Sequence, residues 1–208
     1  MAEVAADVAE LNSHLTVEEL MKNVDVDPAN PSQVVGDLWW SKKGIKKLPD
    51  SIGDLLVAGH LALHENQLEK LPENFSSLEI KKSLFLTNNQ LASLPENFGK
   101  LKIHGDLLLH KNQLASLPEG FGDPSHLNKG LGTHVGGDLA LQENKLTSLP
   151  NSFSTLKVGG SLYLDRNQLK SLPEGFRSIT VGGDLFLMDN SLTKIPDSFE
   201  NVEGRVLK

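Results

Sequence analysis

Two aspartates, Asp106 and Asp138, each follow a glycine and open a short apolar run, with His110 and Glu143 a few residues further on. On neighbouring strands such carboxylates would form a general acid and base pair. The competing reading is local, since an aspartate after glycine readily bonds its own backbone in a turn. His60 and His64 stand four apart, which on a helix would put two zinc ligands on one face. On a strand followed by a turn they do not share a face. Asp25, Asp27 and Asn30 resemble the start of a calcium loop, but glycine is missing at its sixth position and Gly36 stands where the bidentate acid belongs. Without cysteine there is no disulfide, thiolate nucleophile or sulfur-ligated zinc. No Gly-x4-Gly-Lys-Ser/Thr loop is present to cradle phosphate. Asn74-Phe75-Ser76 is a glycosylation sequon in form only, because Phe75 belongs to an apolar series.

The elements that must position these residues are repeats. Asn66, Asn89, Asn112, Asn144, Asn167 and Asn190 follow one another at steps of 23, 23, 32, 23 and 23 residues. Pro49, Pro72, Pro95, Pro118, Pro150, Pro173 and Pro196 keep the same beat. A fixed period of this size means a solenoid whose units bury their apolar faces against each other. Each unit holds a short strand of the form Leu-x-Leu, as in Leu84-Phe85-Leu86 and Leu162-Tyr163-Leu164. Alternate side chains point to opposite faces, so the paired leucines enter the core and the middle residue looks outward. A buried asparagine beyond the strand can donate and accept at once where the chain turns away. Phe75, Phe98, Phe121, Phe153, Phe176 and Phe199, with Ile52 in the first unit, share one repeat position and should stack as a spine.

At L-L-L-H-K-N-Q-L-A-S-L-P-E-G-F, Leu107 to Phe121, the chain resembles the leucine-rich repeat, in its 23-residue L-P class, and within it the bacterial and plant Ras-group proteins. The likeness spans roughly residues 34–202. It implies a right-handed β-rich or α/β superhelix with a concave parallel sheet of seven or eight strands, short extended or 3-10 segments on the convex side, and protein binding on the concave face. One departure stands out: Ile103, Val135, Val158 and Val181 come one residue before the position where the family usually has leucine. Leu101 and Ile103, like Leu156 and Val158, alternate at strand period, which predicts a second extended segment per repeat. The glycines that follow, such as Gly105 and Gly160, are expected to allow a sharp turn into the next strand.

Outside the repeat, residues 1–33 read as a helical cap or extension, with one helix over Ala2–Leu11 and another from Val17 to about Asn23 behind a Thr16/Glu19 capping box. Residues 203–208 form a C-terminal edge in which Arg205-Val206-Leu207 begins an eighth strand with Leu207 one residue early. The 32-residue step holds an insertion near Asp123–Leu131, either a functional loop or a tolerated surface loop. The formal charge of -7 and pI near 5.5 argue against nucleic acid and anionic membranes as partners. An acidic N-terminus without a signal sequence or spanning run suggests a cytoplasmic protein.

The outward middle residues then form a column: Trp39, Ala62, Phe85, Leu108, Ala140, Tyr163 and Phe186. Such an apolar strip with polar margins suits a binding face; aromatic cross-strand packing is the simpler alternative. The expected function is non-enzymatic binding of a protein or peptide, without cofactor or metal, through Trp39, Phe85, Leu108, Tyr163 and Phe186, flanked by Asp106, Asp138, His64 and His110. A β-helix-like carbohydrate enzyme using Asp106 and Asp138 is one alternative. Self-association through the C-terminal edge is another.

Overall fold

The computed structural model describes residues 26, 27, 30–126 and 134–208. The two expected N-terminal helices and most of the insertion lie outside the described residues. Leu38–Trp39, Leu61–Ala62, Leu84–Phe85, Leu107–Leu108, Leu139–Ala140, Leu162–Tyr163, Leu185–Phe186 and Val206–Leu207 form one eight-stranded parallel sheet, the front sheet. The register holds across the insertion, with Leu107 opposite Leu139 and Leu108 opposite Ala140. Both leucines of every Leu-x-Leu rung are buried. The eighth strand resolves the early leucine: Val206 stands opposite Leu185 and Leu207 opposite Phe186, so Val206 fills the inward site and Leu207 extends the outward column.

A second extended segment per repeat is present. Val26–Asp27, Asn30–Val34, Leu56–Val57, Glu79–Ile80 and Lys102–Ile103 make one back sheet, and Lys157–Val158, Thr180–Val181 and Asn201–Val202 another. Val135 bridges the two by pairing with Ile103 and Val158. The first pair is antiparallel and the others are parallel. The alternation of inward Leu101 with Ile103, and Leu156 with Val158, is what commits this side to strand. Short 3-10 turns precede it, as at Asp50–Asp54, Glu73–Ser77 and Asn151–Thr155, each entered from a proline with φ between -68° and -64°.

Between the sheets and turns runs the phenylalanine spine. Phe75, Phe98, Phe121, Phe153 and Phe176 stack with neighbouring centroids 5.9–6.2 Å apart and planes within 15°. The buried asparagines tie rung to rung. Asn112 Oδ1 accepts the Leu91 N–H at 3.1 Å, while its Nδ2 donates to Leu109 O at 2.9 Å and to Leu86 O at 3.0 Å. These are main-chain groups that water cannot reach, so the amide does what no apolar side chain could. The residue before the asparagine position lies in the left-handed region throughout, with φ of 52–59° at Lys42, Glu65, Asn88, Lys111, Glu143, Arg166 and Asp189.

One expectation gains a reason and another needs correction. The glycines before the front strands, Gly59, Gly105, Gly137, Gly160 and Gly183, each lie in the bend that leads into the strand, and they also permit close approach. A Cβ on Gly160 would lie 2.2 Å from Asp138 Oδ1 and 2.8 Å from the Gly137 carbonyl carbon. The aspartates that follow, however, do not bond their own turns, because their acceptors reach the next rung.

Candidate functional site

The position just before each front strand carries a side-chain ladder. Asp37 Oδ1 accepts the His60 N–H at 2.8 Å, His60 Nδ1 the Ser83 N–H at 3.2 Å and Ser83 Oγ the Asp106 N–H at 3.0 Å. Asp106 Oδ1 then accepts the Asp138 N–H at 2.9 Å, Asp138 Oδ1 the Ser161 N–H at 2.7 Å and Ser161 Oγ the Asp184 N–H at 3.1 Å. At the end Asp184 takes the Arg205 N–H and pairs with its guanidinium, both at 2.7 Å. The guanidinium bonds first, then the main-chain N–H, hold the Asp184 carboxyl below its ordinary range. Asp106 and Asp138 are therefore committed acceptors of main-chain N–H groups, and half-buried. Their role as an acid and base pair is the poorer account of the same residues.

Every member of this ladder bears a short acceptor. The alternation of Asp, His and Ser in one repeat slot was the available signal, and it also brings in His60, which reading the aspartates alone misses.

The outward column follows. Trp39 is 55% exposed, whereas Phe85, Leu108, Tyr163 and Phe186 are half-buried. Ala62 and Ala140 are covered, at 0% and 3% exposure, because larger neighbours overhang them. The rings pack along the sheet instead of standing free. His60 stacks on Phe85 at 5.5 Å and lies 6.4 Å from Trp39, and His64 meets the edge of Phe85 at 6.3 Å. Tyr163 and Phe186 stack at 4.6 Å. The column thus has an aromatic and histidine platform at one end and an aromatic pair at the other, with Leu108 between.

The second margin holds His64, Thr87, His110, Gln142, Asp165 and Met188. The His110 ring nitrogen Nδ1 lies 3.2 Å from Thr87 Oγ1. Burial first, and then the Lys111 ammonium, push its pKa down against the pull of Glu143. Asp165 moves the opposite way: burial raises its carboxyl above the usual range. His60 and His64 are turned toward Phe85, and among the described residues no cluster of three or more His, Asp or Glu is arranged to hold a metal ion. Among the described residues, too, no helix is long and apolar enough to cross a membrane.

No family model and no curated protein matches the chain. Among solved structures, YopM from Yersinia enterocolitica WA-314 is similar with a TM-score of 0.56 and 27% identity, over 80% of this chain and 32% of that one. The chain therefore spans about a third of that protein's length. The leucine-rich-repeat domain of a Shigella effector superposes with a TM-score of 0.53 at 20% identity, over 100% of this chain and 97% of that domain. With the stacked rungs described above, these likenesses establish a leucine-rich-repeat solenoid.

Proposed function

We infer that this chain is a non-enzymatic binding module that grips a protein or peptide across its front sheet. The observation that carries the reading is the aligned column of outward positions over eight in-register strands, with aromatic rings at Trp39, Phe85, Tyr163 and Phe186. Large rigid rings concentrate binding energy in interfaces. The margins of Asp106, Asp138, His64 and His110 would give selectivity, and the carboxylates are partly spent on the ladder. The closer kinship with 23-residue L-P proteins of the bacterial and plant Ras group, and a cytoplasmic setting, belong to the same reading.

The test is capture from extract of the protein's own cells with wild type, the Phe85→Ala/Tyr163→Ala double variant, and a control variant on the turn side, Glu73→Gln. Both positions are half-buried and outside the spine, so the double variant should keep its circular dichroism spectrum. Loss of capture by the double variant alone is expected; equal capture by all three would end the proposal.

Self-association is a second reading, favoured by one observation: among the described residues, the outer edge of Val206–Leu207 has no partner strand. Light scattering that finds a monomer at high concentration would remove it.

A further inference from the structure

We propose that Tyr163, Phe186, Gln142 and Asp165 form the seat for one basic side chain, arginine or lysine, of a peptide ligand lying along the front sheet. The proposal rests on the binding function above and names the chemistry of its partner.

The geometry comes from the register. Ala140 pairs with Tyr163 and Tyr163 with Phe186. Two residues further along adjacent rungs, Gln142 and Asp165 stand side by side, with the Glu143 N–H donating to Asp165 O at 3.2 Å. Tyr163 and Asp165 are outward residues of one rung. The stacked rings of Tyr163 and Phe186 therefore flank a pair of oxygen acceptors.

No other described side chain donates to either acceptor. Gln142 Oε1 is buried and accepts no hydrogen bond from any described residue. The half-buried Asp165 carboxylate makes no ion pair among the described residues, because the neighbouring cation, Arg166, is engaged elsewhere. Arg166 is shared between Glu143 at 3.5 Å and Asp189 at 3.7 Å. Only the main-chain N–H of Asp165 and the field of Arg166 oppose the cost of its burial, and its pKa stays raised. An unpaired buried acceptor is costly. A guanidinium or ammonium would pair with the Asp165 carboxylate and, when the Gln142 side chain turns its buried Oε1 outward, with that oxygen too, its stem or plane against the aromatic pair. The net charge of -7 favours approach of a basic segment over an acidic one.

The experiment is selection of a random twelve-residue peptide library on the immobilised full chain, followed by affinity measurement of the selected peptides on wild type, Asp165→Asn, Gln142→Glu and Phe85→Ala/Tyr163→Ala. Melting temperatures check that each variant folds. Enrichment of a fixed arginine or lysine is expected. So are roughly tenfold or greater weakening in Asp165→Asn, tighter binding in Gln142→Glu, and a loss of affinity with added salt. Peptides that depend on Phe85 and Tyr163 but show no basic position and ignore Asp165→Asn would overturn this seat and leave the binding face standing. Peptides indifferent to all the front-sheet variants, or no selected peptide at all, would overturn both.

Discussion

Phe121 and Phe153 stack at 5.9 Å with planes 15° apart, although the insertion lies between them in the chain. This contact is as close as any other in the spine, and the flanking strands keep their register. The described core is therefore continuous across the insertion. The inserted stretch is closed at its base by His134, whose Nε2 lies 2.8 Å from Asp123 O.

Deleting residues 124–132 restores the 23-residue spacing and brings Thr133 to the slot that Leu156 fills in the next repeat. Combined with Thr133→Leu, the deletion should leave the melting temperature within a few degrees of wild type, since loop length changes stability only slowly. A collapse in thermal denaturation would show that the insertion supplies part of the core.

The spine makes a graded prediction. Phe98→Ala removes a buried ring stacked on both sides and should cost about 3–5 kcal/mol by urea denaturation. Phe199 is half-buried and meets Phe176 edge-on at 83°, beside a cavity of about 480 Å³ lined by residues including Leu172, Phe176 and Pro196. Phe199→Ala should cost markedly less. Equal losses would contradict a core that tapers at this end.

The asparagine ladder is polar, and its loss should cost as much as that of a core residue. Asn144 Oδ1 accepts the Leu114 N–H at 3.1 Å, and its Nδ2 donates to Leu141 O at 3.0 Å and Leu109 O at 3.1 Å. Asn144→Leu strands those main-chain groups in the interior. At about 1–3 kcal/mol for each unsatisfied group, several kcal/mol should be lost in chemical denaturation, and Asn144→Asp, which cannot donate, should not rescue it.

How much of this was legible in the sequence differs from residue to residue. The rungs, the spine and the asparagines could be read because burial enforces residue type: only leucine, phenylalanine or an amide fits those slots, so spacing reveals them. The back strands showed in the alternation of Leu156 with Val158. The function of Asp138 did not show. Its acceptor bonds a residue 23 positions away, a distance at which a turn reading based on neighbours has no purchase. Likewise the outward column was predictable, but not that Ala62 would be covered while Trp39 stands 55% exposed, since that depends on how flanking rings lean.

The ladder and its glycines should be separable. Gly160→Ala drives a methyl group to 2.2 Å from Asp138 Oδ1 and against main chain, which cannot move aside as a flexible side chain would. At Gly36, by contrast, a methyl group would meet nothing within 4 Å. Gly160→Ala should destabilise by roughly 1–3 kcal/mol, while Gly36→Ala should be close to neutral. Matching losses in thermal melts would mean that backbone freedom, not close approach, is what glycine provides.

Acid should weaken the fold through His134. Its side chain is 7% exposed, its Nδ1 accepts the Lys157 N–H at 3.1 Å, and its Nε2 therefore carries the proton offered to Asp123 O. Burial is the largest influence and lowers its pKa from 6.5, with the Asp123 carbonyl pulling the other way. The folded state thus binds fewer protons than the unfolded one below about pH 6.5, so stability is full above that value and is lost as pH falls toward the depressed folded pKa. His110, lowered by its own burial, acts with the same sign. Urea midpoints measured from pH 7.5 down to pH 5 should fall for wild type. His134→Gln can still accept from Lys157 and donate to Asp123, and it has no proton to gain, so its midpoint should fall less over the same range. A variant that tracks wild type point for point would show that the titration responsible lies elsewhere.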